Sequence, residues 1–365
     1  MADAATSSKP TPSVATAQKF PPDAAQALLR WYDRHGRRLP WRARPGEARN
    51  PYHVWLSEVM LQQTTVATVL KRWPDFLQAF PTVEALAAAP WDQVATAWAG
   101  LGYYARARRL QQAAQRIAAS GFPATLDGWR ALPGIGPYTA AAIAAIAHDH
   151  DHVALDGNVE RVFARIFRIP STLAAARATY EAAGESLAAC AKKPGRAGDL
   201  AQALFDLGAE VCRPRNPSCV LCPWQGFCAA RRHGEQEKFP RKAAKPAKQA
   251  RSLDIFWIED AQGFVLANRR TGATLLDGML QLPNSGLTPQ DPPFAPDGHG
   301  KARPVGTFRH AFTHIDFTVT VRAVEAPGSL TAREGEVLVH RSDMARAGLP
   351  SLMAKAARLA LARRP

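Results

Sequence analysis

From Pro22 to about Arg232, apolar residues recur every three to four positions through alanine-rich stretches punctuated by proline and glycine. That period predicts helix after helix and one large all-α unit over residues 20–232. After residue 250 the period becomes two. Leu253, Ile255 and Trp257 alternate, a turn is expected over Asp260–Gly263, Phe264-Val265-Leu266 resumes a strand, and Ile315, Phe317, Val319 and Val321 alternate again. A closing helix from Leu352 to Arg364, with Leu352, Ala356 and Leu359 on one face, makes residues 251–365 a smaller α+β domain. Between the two, residues 233–250 place Lys238, Arg241, Lys242, Lys245 and Lys248 among prolines and alanines and read as a basic linker. Residues 1–19 show neither a secretory apolar core nor the arginines of a transit peptide, and read as a disordered tail. There is no internal repeat.

The length of 365 residues suits about two domains. Lysine and arginine number 46 against 31 acidic residues, a net charge of +15. Such an excess favours polyanionic partners through counterion release, although charge alone fits any basic soluble protein. No apolar run reaches the ~18 residues of a membrane span. Four of the five cysteines, Cys212, Cys219, Cys222 and Cys228, fall in one seventeen-residue window with gaps of six, two and five residues. This is metal-ligand spacing rather than a disulfide framework, and it places the chain in a reducing compartment. Four thiolates can wrap an iron–sulfur cube or hold zinc. Zinc sites usually show two close pairs, whereas here only Cys219 and Cys222 are close. Cys190, in an alanine-rich helical stretch, reads as a small buried apolar residue.

Three further segments carry chemistry. Leu132-Pro133-Gly134-Ile135-Gly136 lies between two helical runs, and its glycines allow positive φ and close approach of a phosphate to amides at a helix N-terminus, so it reads as a helix-hairpin-helix turn. Glu58 belongs to a helix whose apolar face uses Trp55, Val59, Val66 and Leu70, with Glu58, Gln62 and Thr65 aligned on another face. By itself a helical glutamate is a solvated surface residue; flanked by apolar side chains it can keep a proton and act as a general acid. Asp156 precedes Gly157-Asn158-Val159 at the start of another helix, where its ordinary role is to cap. Apolar Val153-Ala154-Leu155 ahead of it points to a buried helix mouth, where amides and dipole favour the carboxylate.

Ser57 to Thr64, Gly100-Leu101-Gly102-Tyr103-Tyr104-Ala105-Arg106, the hairpin, Leu155 to Val159 and the four cysteines together resemble the MutY-type adenine DNA glycosylases of the helix-hairpin-helix, endonuclease III superfamily. The resemblance covers roughly Pro22 to Arg232 and continues more weakly to the C-terminus. It implies a mainly α helix-hairpin-helix glycosylase domain with an iron–sulfur cluster loop over 212–228, plus a C-terminal α+β Nudix-like domain. It implies one 4Fe-4S cluster on the four cysteines, and a monomer that removes adenine opposite 8-oxoguanine or guanine in double-stranded DNA. In that family the residue matching Glu58 protonates adenine and the one matching Asp156 stabilises the sugar cation, while Tyr138 and Asn158 match residues that orient the site. Leu39, Trp41, Arg42 and Gln202 match the adenine pocket. Gln62, Gln63, Tyr103, Gly134 and Gly136 are expected on DNA, and Phe312-Thr313-His314 resembles a Phe-Ser-His loop that senses 8-oxoguanine.

The related endonuclease III enzymes carry a Schiff-base lysine where this chain has Tyr138. A tyrosine forms no imine, so a monofunctional enzyme without strand cleavage is expected. The acidic metal box of Nudix hydrolases is missing after Gly278, so nucleotide hydrolysis is not expected. Two rivals are a bifunctional pyrimidine glycosylase, disfavoured by Tyr138 and the extra domain, and a catalytically silent damage-binding protein, disfavoured by the presence of Glu58 and Asp156.

Overall fold

A computed structural model describes residues 18–43, 47–191, 195–241, 247–271, 275–276, 278–294, 300–312 and 314–362. Contacts divide the chain into two units, Met1–Gln62 with Arg116–Ala243, and Gln63–Gln115 with Ala244–Pro365. The first unit begins with α1 (Ala24–His35) and α2 (Pro51–Leu61). The second takes α3 (Val66–Ala79), α4 (Val83–Ala88) and α5 (Trp91–Ala97), and α6 (Tyr104–Ser120) runs from it back to the first. There follow α7 (Leu126–Arg130), α8 (Pro137–His148), α9 (Gly157–Ile166), α10 (Arg177–Ala189), α11 (Ala197–Asp206) and α12 (Ala229–Arg232). The expected boundary near residue 232 thus misses that segment 63–115 groups with the C-terminal part. Within that unit Tyr104 and Arg108 of α6 lie against Gly348 and Gly278.

In the first unit Leu28, Phe163, Leu204 and Trp224 are fully buried in one core. The Trp224 indole N–H donates to the Ala24 carbonyl at 2.9 Å, tying the cysteine-rich loop to α1. The expected single helix through Trp55 and Leu70 is in fact two. Gln63 adopts φ 56°, which ends α2, and Thr65 caps α3 by accepting from the Thr68 amide. Glu58, Gln62 and Thr65 therefore do not share one helical face, and Leu70 is exposed.

The expected linker 233–250 is also shorter than anticipated. Phe239 is buried in the first unit's core and its carbonyl accepts from Arg165 Nε at 3.1 Å, while Gln249 already starts a strand. A large aromatic with a place in a core anchors the chain despite its basic neighbours. Lys242 and Lys245, and the tail up to residue 17, lie outside the described residues. Cys190 is half-buried at the end of α10, with its thiol donating to the Ser186 carbonyl at 3.1 Å.

The second unit holds β1 (Gln249–Glu259), β2 (Phe264–Arg269), β3 (Leu280–Gln281), β4 (Arg303–Ala311), β5 (Ile315–Glu325), β6 (Glu336–His340) and α13 (Ser351–Ala362). The sheet order is β3-β2-β1-β5-β4, with β6 on β2. β1 and β5 run parallel, from Gln249 against Ile315 to Glu259 against Glu325. The alternating residues Leu253, Ile255, Trp257, Phe317, Val319 and Val321 face Leu352, Met353 and Ala356 of α13. Phe256, Ile258, Leu266 and Val324 fill the opposite face, so β1 is buried on both sides.

Candidate active site

Glu58 lies near the C-terminal end of α2, a helix entered through Asn50, whose side-chain oxygen accepts from the Tyr52 and His53 amides, and through Pro51 at the first turn. Nearly every α2 side chain is buried, Glu58 among them at 8 % exposure. The sequence pattern alone makes it a surface residue; tertiary packing encloses it. Burial pushes its carboxyl up to about 7. The charge of Arg42 opposes that rise, the charge of Asp156 adds to it, and a hydrogen bond from the Tyr138 hydroxyl again lowers it. The phenol of Tyr138 is in turn driven well above its ordinary range, first by burial and then by the two carboxylates. Glu58, Tyr138, Arg42 and Asp156 thus come together as expected residue types at one place.

Arg42 is held by a residue that the sequence did not single out. Both of its terminal nitrogens donate to Asp206, at 2.8 and 2.9 Å, and Arg37 adds its backbone amide at 2.8 Å and Nε at 2.6 Å. Asp206 is fully buried. Burial pushes its carboxyl up, but the hydrogen bonds and charges of Arg42 and Arg37 prevail and hold it below the usual carboxylate range. Gln202, one turn earlier on α11, is buried; its Nε2 donates to the Gly198 carbonyl at 3.3 Å and its Oε1 has no partner. A buried amide oxygen left without a donor is costly, so it is a ready acceptor for a ligand N–H. Trp41 is buried and Leu39 half-buried, with the Leu39 carbonyl accepting from the Arg42 amide at 3.0 Å. The only sequence signal for Asp206 is its four-residue spacing from Gln202.

Asp156 caps α9. Its Oδ1 accepts from the Asn158 and Val159 amides at 2.9 and 2.7 Å, and its Oδ2 accepts from the Asn158 side chain at 2.8 Å. It is half-buried, more open than the expected buried mouth. Asn158 in turn accepts from Arg161 Nη2 at 2.9 Å, and Arg161 donates onward to the carbonyls of Gly208 and Cys212 at 2.8 and 2.9 Å. A continuous line of hydrogen bonds therefore joins the carboxylate to the first cysteine.

Cys212, Cys219, Cys222 and Cys228 line one cavity together with Val162, Arg165 and Leu207. Burial pushes Cys222 up to about 12 and raises Cys228. Donors surround the sulfurs: Arg165 Nη1 lies 3.4 Å from the Cys212 sulfur and Gln236 Nε2 lies 3.6 Å from that of Cys219. Among the described residues, no three His, Cys, Asp or Glu side chains converge on a point that a single ion could occupy. Arg213 and Arg215 are exposed on the same loop.

At the hairpin only Gly134 takes positive φ, at 79°; Gly136 is extended at φ −86°, stands at the N-cap of α8, and has open space where a side chain would be. Both glycines are exposed, and α8 opens with Pro137. Gln62, expected on DNA, is half-buried and donates to Thr139 Oγ1 at 3.1 Å and the Gly134 carbonyl at 3.4 Å, tying α2 to the hairpin. In the second unit Gln63 and Tyr103 are exposed and both left-handed, at φ 56° and 51°. Also there, Phe312 packs edge-on to His310 with centroids 4.9 Å apart, and its carbonyl accepts from Lys248 Nζ at 2.8 Å. The His314 carbonyl accepts from the Gln249 amide at 2.9 Å, and His314 is exposed. Thr313 lies outside the described residues.

Residues 56–188 match the HhH-GPD superfamily of base excision DNA repair proteins, and residues 254–359 match a NUDIX domain. The adenine DNA glycosylase of Rattus norvegicus is 32% identical over 375 residues, covering 84% of this chain and 71% of that protein. The adenine DNA glycosylase of Homo sapiens is 43% identical over 220 residues, 58% of this chain but only 40% of that protein. Among solved structures, a thermostable thymine-DNA glycosylase matches with TM-score 0.50 and 25% identity, covering 57% of this chain and 95% of its own.

Proposed function

The chain belongs to the adenine DNA glycosylase family, and from that premise we propose that it removes adenine mispaired with 8-oxoguanine or guanine in double-stranded DNA, by acid-catalysed hydrolysis of the N-glycosidic bond. The observation that carries the reading is Glu58: a buried carboxyl pushed up to about 7, under the charge of Asp156 and hydrogen-bonded by Tyr138. At neutral pH about half of such a group carries the proton that a poorly leaving adenine needs.

The target nucleotide leaves the stack and enters the pocket. Gln202 Oε1 accepts from the exocyclic amine, and Leu39, Trp41 and Arg42 enclose the ring. Glu58 donates its proton to a ring nitrogen, the bond from that base to the sugar C1′ breaks, and the electron pair departs with neutral adenine. The sugar is left cationic. Asp156, fixed by its two amides and by Asn158, faces that charge as a preorganised anion. Glu58, now a carboxylate, takes a proton from the attacking water, leaving an abasic site. Tyr138 forms no imine with the sugar, so the strand stays intact and the enzyme is monofunctional.

Gln63 and Tyr103 enter the duplex while Gly134, Gly136 and the first amides of α8 hold its backbone. Phe312, Thr313 and His314 of the Nudix-like domain read 8-oxoguanine. Cys212, Cys219, Cys222 and Cys228 would hold one 4Fe-4S cluster. Four thiols around one cavity, with N–H donors to two of the sulfurs and with chain gaps of six, two and five residues, support a cube over one zinc ion. When bound, it supplies a rigid, charged anchor for the Arg213 and Arg215 loop rather than a reacting atom. The protein works as a monomer in the cytoplasm, at the nucleoid.

A duplex with adenine opposite 8-oxoguanine, analysed with and without alkali, tests the reading. Strand breaks only after alkali are expected; breaks without alkali would indicate a lyase, and no abasic site would indicate a binding protein.

A further inference from the structure

Gln63 and Tyr103 are forty residues apart in the chain, and each is a non-glycine residue in the left-handed region. Such conformations persist only where surrounding structure over-determines them. Around Tyr103 the strain is shared: Gly100 and Gly102 also have positive φ, at 89° and 72°, so that turn is wound almost wholly left-handed. A single side chain touches both turns.

Arg106, in the first turn of α6, is 8% exposed. Its Nη2 donates to Thr64 Oγ1 at 2.9 Å, to the Leu101 carbonyl at 2.9 Å and to the Gly102 carbonyl at 3.4 Å. Thr64 follows Gln63 directly, and its hydroxyl also donates to the Leu101 carbonyl at 3.3 Å. The guanidinium carbon lies 5.1 Å from the Trp98 ring and 6.0 Å from the Tyr103 ring. Trp98 Nε1 closes the set by donating to the Gly102 carbonyl at 2.9 Å. One buried cation, lying against two aromatic rings and donating to both turns from a single nitrogen, thus ties the Gln63 turn to the Tyr103 turn; its planar face against Trp98 and Tyr103 is what a point-like ammonium cannot reproduce.

We propose that Arg106 is the positioning residue that presents Gln63 and Tyr103 to the duplex as a single two-pronged wedge, and so controls extrusion of the target base rather than cleavage of its bond. The inference rests on the reading that these two side chains enter DNA. Arg106 belongs to neither the acid pocket nor the cysteine loop, so its loss acts before chemistry. With Lys at this position the turns keep a positive charge but lose the planar group that lies against Trp98 and Tyr103 and sets the reach of the donor nitrogen.

The experiment compares wild type, Arg106→Lys and Thr64→Val. A 2-aminopurine reporter beside the target adenine reads extrusion by stopped-flow fluorescence. Single-turnover excision is measured on adenine opposite 8-oxoguanine and on adenine opposite an abasic analogue, where no partner base holds it. Arg106→Lys should slow extrusion and excision from the paired duplex by about 10- to 100-fold, as a misplaced positioning group does, with a loss under about threefold on the abasic-opposed substrate. Thr64→Val should act in the same direction, by about three- to tenfold, for the loss of one hydrogen bond. Equal losses on both substrates, or an unchanged fluorescence step, would overturn the proposal; if Arg106→Lys fails to fold, an unchanged step in Thr64→Val does so alone. A wild type that extrudes the reporter but releases no adenine would instead sink the assigned activity, with the extrusion comparison still readable.

Discussion

Two carboxylates face the same chemistry from opposite kinds of surroundings. Glu58 sits inside α2 among apolar side chains, where burial favours its proton; Asp156 sits at the mouth of α9, where two backbone amides and Asn158 donate to it. One region buries its carboxyl and offers it the Tyr138 hydroxyl, and the other supplies backbone and side-chain donors in a fixed array. In the proposed mechanism an acid must give up a proton and an anion must stay in place, two demands that one environment cannot meet; a helix interior suits the first and a helix N-terminus the second. The price of the first region appears as stability. A carboxyl moved from 4.5 to about 7 on folding destabilises the native state by on the order of 3 kcal/mol once the solution pH exceeds both values.

The largest expected effect is Glu58→Gln, which keeps the shape and removes the transferable proton. Single-turnover adenine release should fall by about 10⁴-fold or more, with duplex binding largely retained. The same variant should be more stable than wild type at pH 8. Since the folded carboxyl ionises later than the unfolded one, wild-type stability should decline between about 4.5 and about 7, and that decline should vanish in Glu58→Gln. Urea unfolding at several pH values measures this. A variant with full activity, or with the same pH-dependent decline, would break the contrast between the two regions.

Asp156→Asn should lower the rate by about 10²- to 10³-fold through loss of the anion beside the developing sugar cation. It removes negative charge near Glu58, so the limb of the pH–rate profile governed by Glu58 should shift to lower pH. Asp206→Asn tests the pocket from the other side. Arg42 would lose its counter-charge and depress Glu58, so activity should fall at neutral pH by about tenfold and recover as pH is lowered, provided the variant stays folded. An unshifted profile in both variants would show that neighbouring charges do not set the proton affinity of Glu58.

Arg161→Gln breaks the line from Asp156 to Cys212 while leaving both end residues in place, although the Cys212 carbonyl loses its Arg161 donor. A loss of about tenfold in rate is expected from a less firmly placed carboxylate, together with a lowered melting temperature because buried carbonyls lose their donors. Full activity with lowered stability would confine Arg161 to holding the fold. The smallest effect on excision opposite guanine belongs to the segment proposed to read 8-oxoguanine. If Thr313 and His314 read 8-oxoguanine as proposed, replacing both by alanine removes one or two hydrogen bonds of ~0.5–1.5 kcal/mol each, so the preference for 8-oxoguanine over guanine should weaken by about two- to hundredfold while excision opposite guanine changes little. Equal loss on both duplexes would mean that the segment supports general binding only.

Much of this molecule was legible in its sequence for reasons of period and spacing. The shift from a helical to an alternating period near residue 250 separates the helices from the sheet, and the residues alternating in β1 and β5 are the ones packed under α13. Four cysteines close in the sequence do line one cavity, and Leu-Pro-Gly-Ile-Gly does join α7 to α8. Asp156 before Gly-Asn-Val announces a cap, which it is.

Only the tertiary structure decided which polar residues matter and what state they are in. Pattern alone puts Glu58 on a surface and continues its helix through Gln63; packing on all sides of α2 buries the one, and a left-handed backbone at the other ends the helix. Asp206 reaches Arg42 across 164 residues of chain, and Arg161 reaches Cys212 across 51. No period encodes such pairs, since a hydrogen bond between distant segments depends on where the intervening core places them. Sequence specifies elements through interactions within a few residues; the proton on Glu58, the anchored carboxylate of Asp156 and the left-handed turns bridged by Arg106 arise only when those elements close on one another.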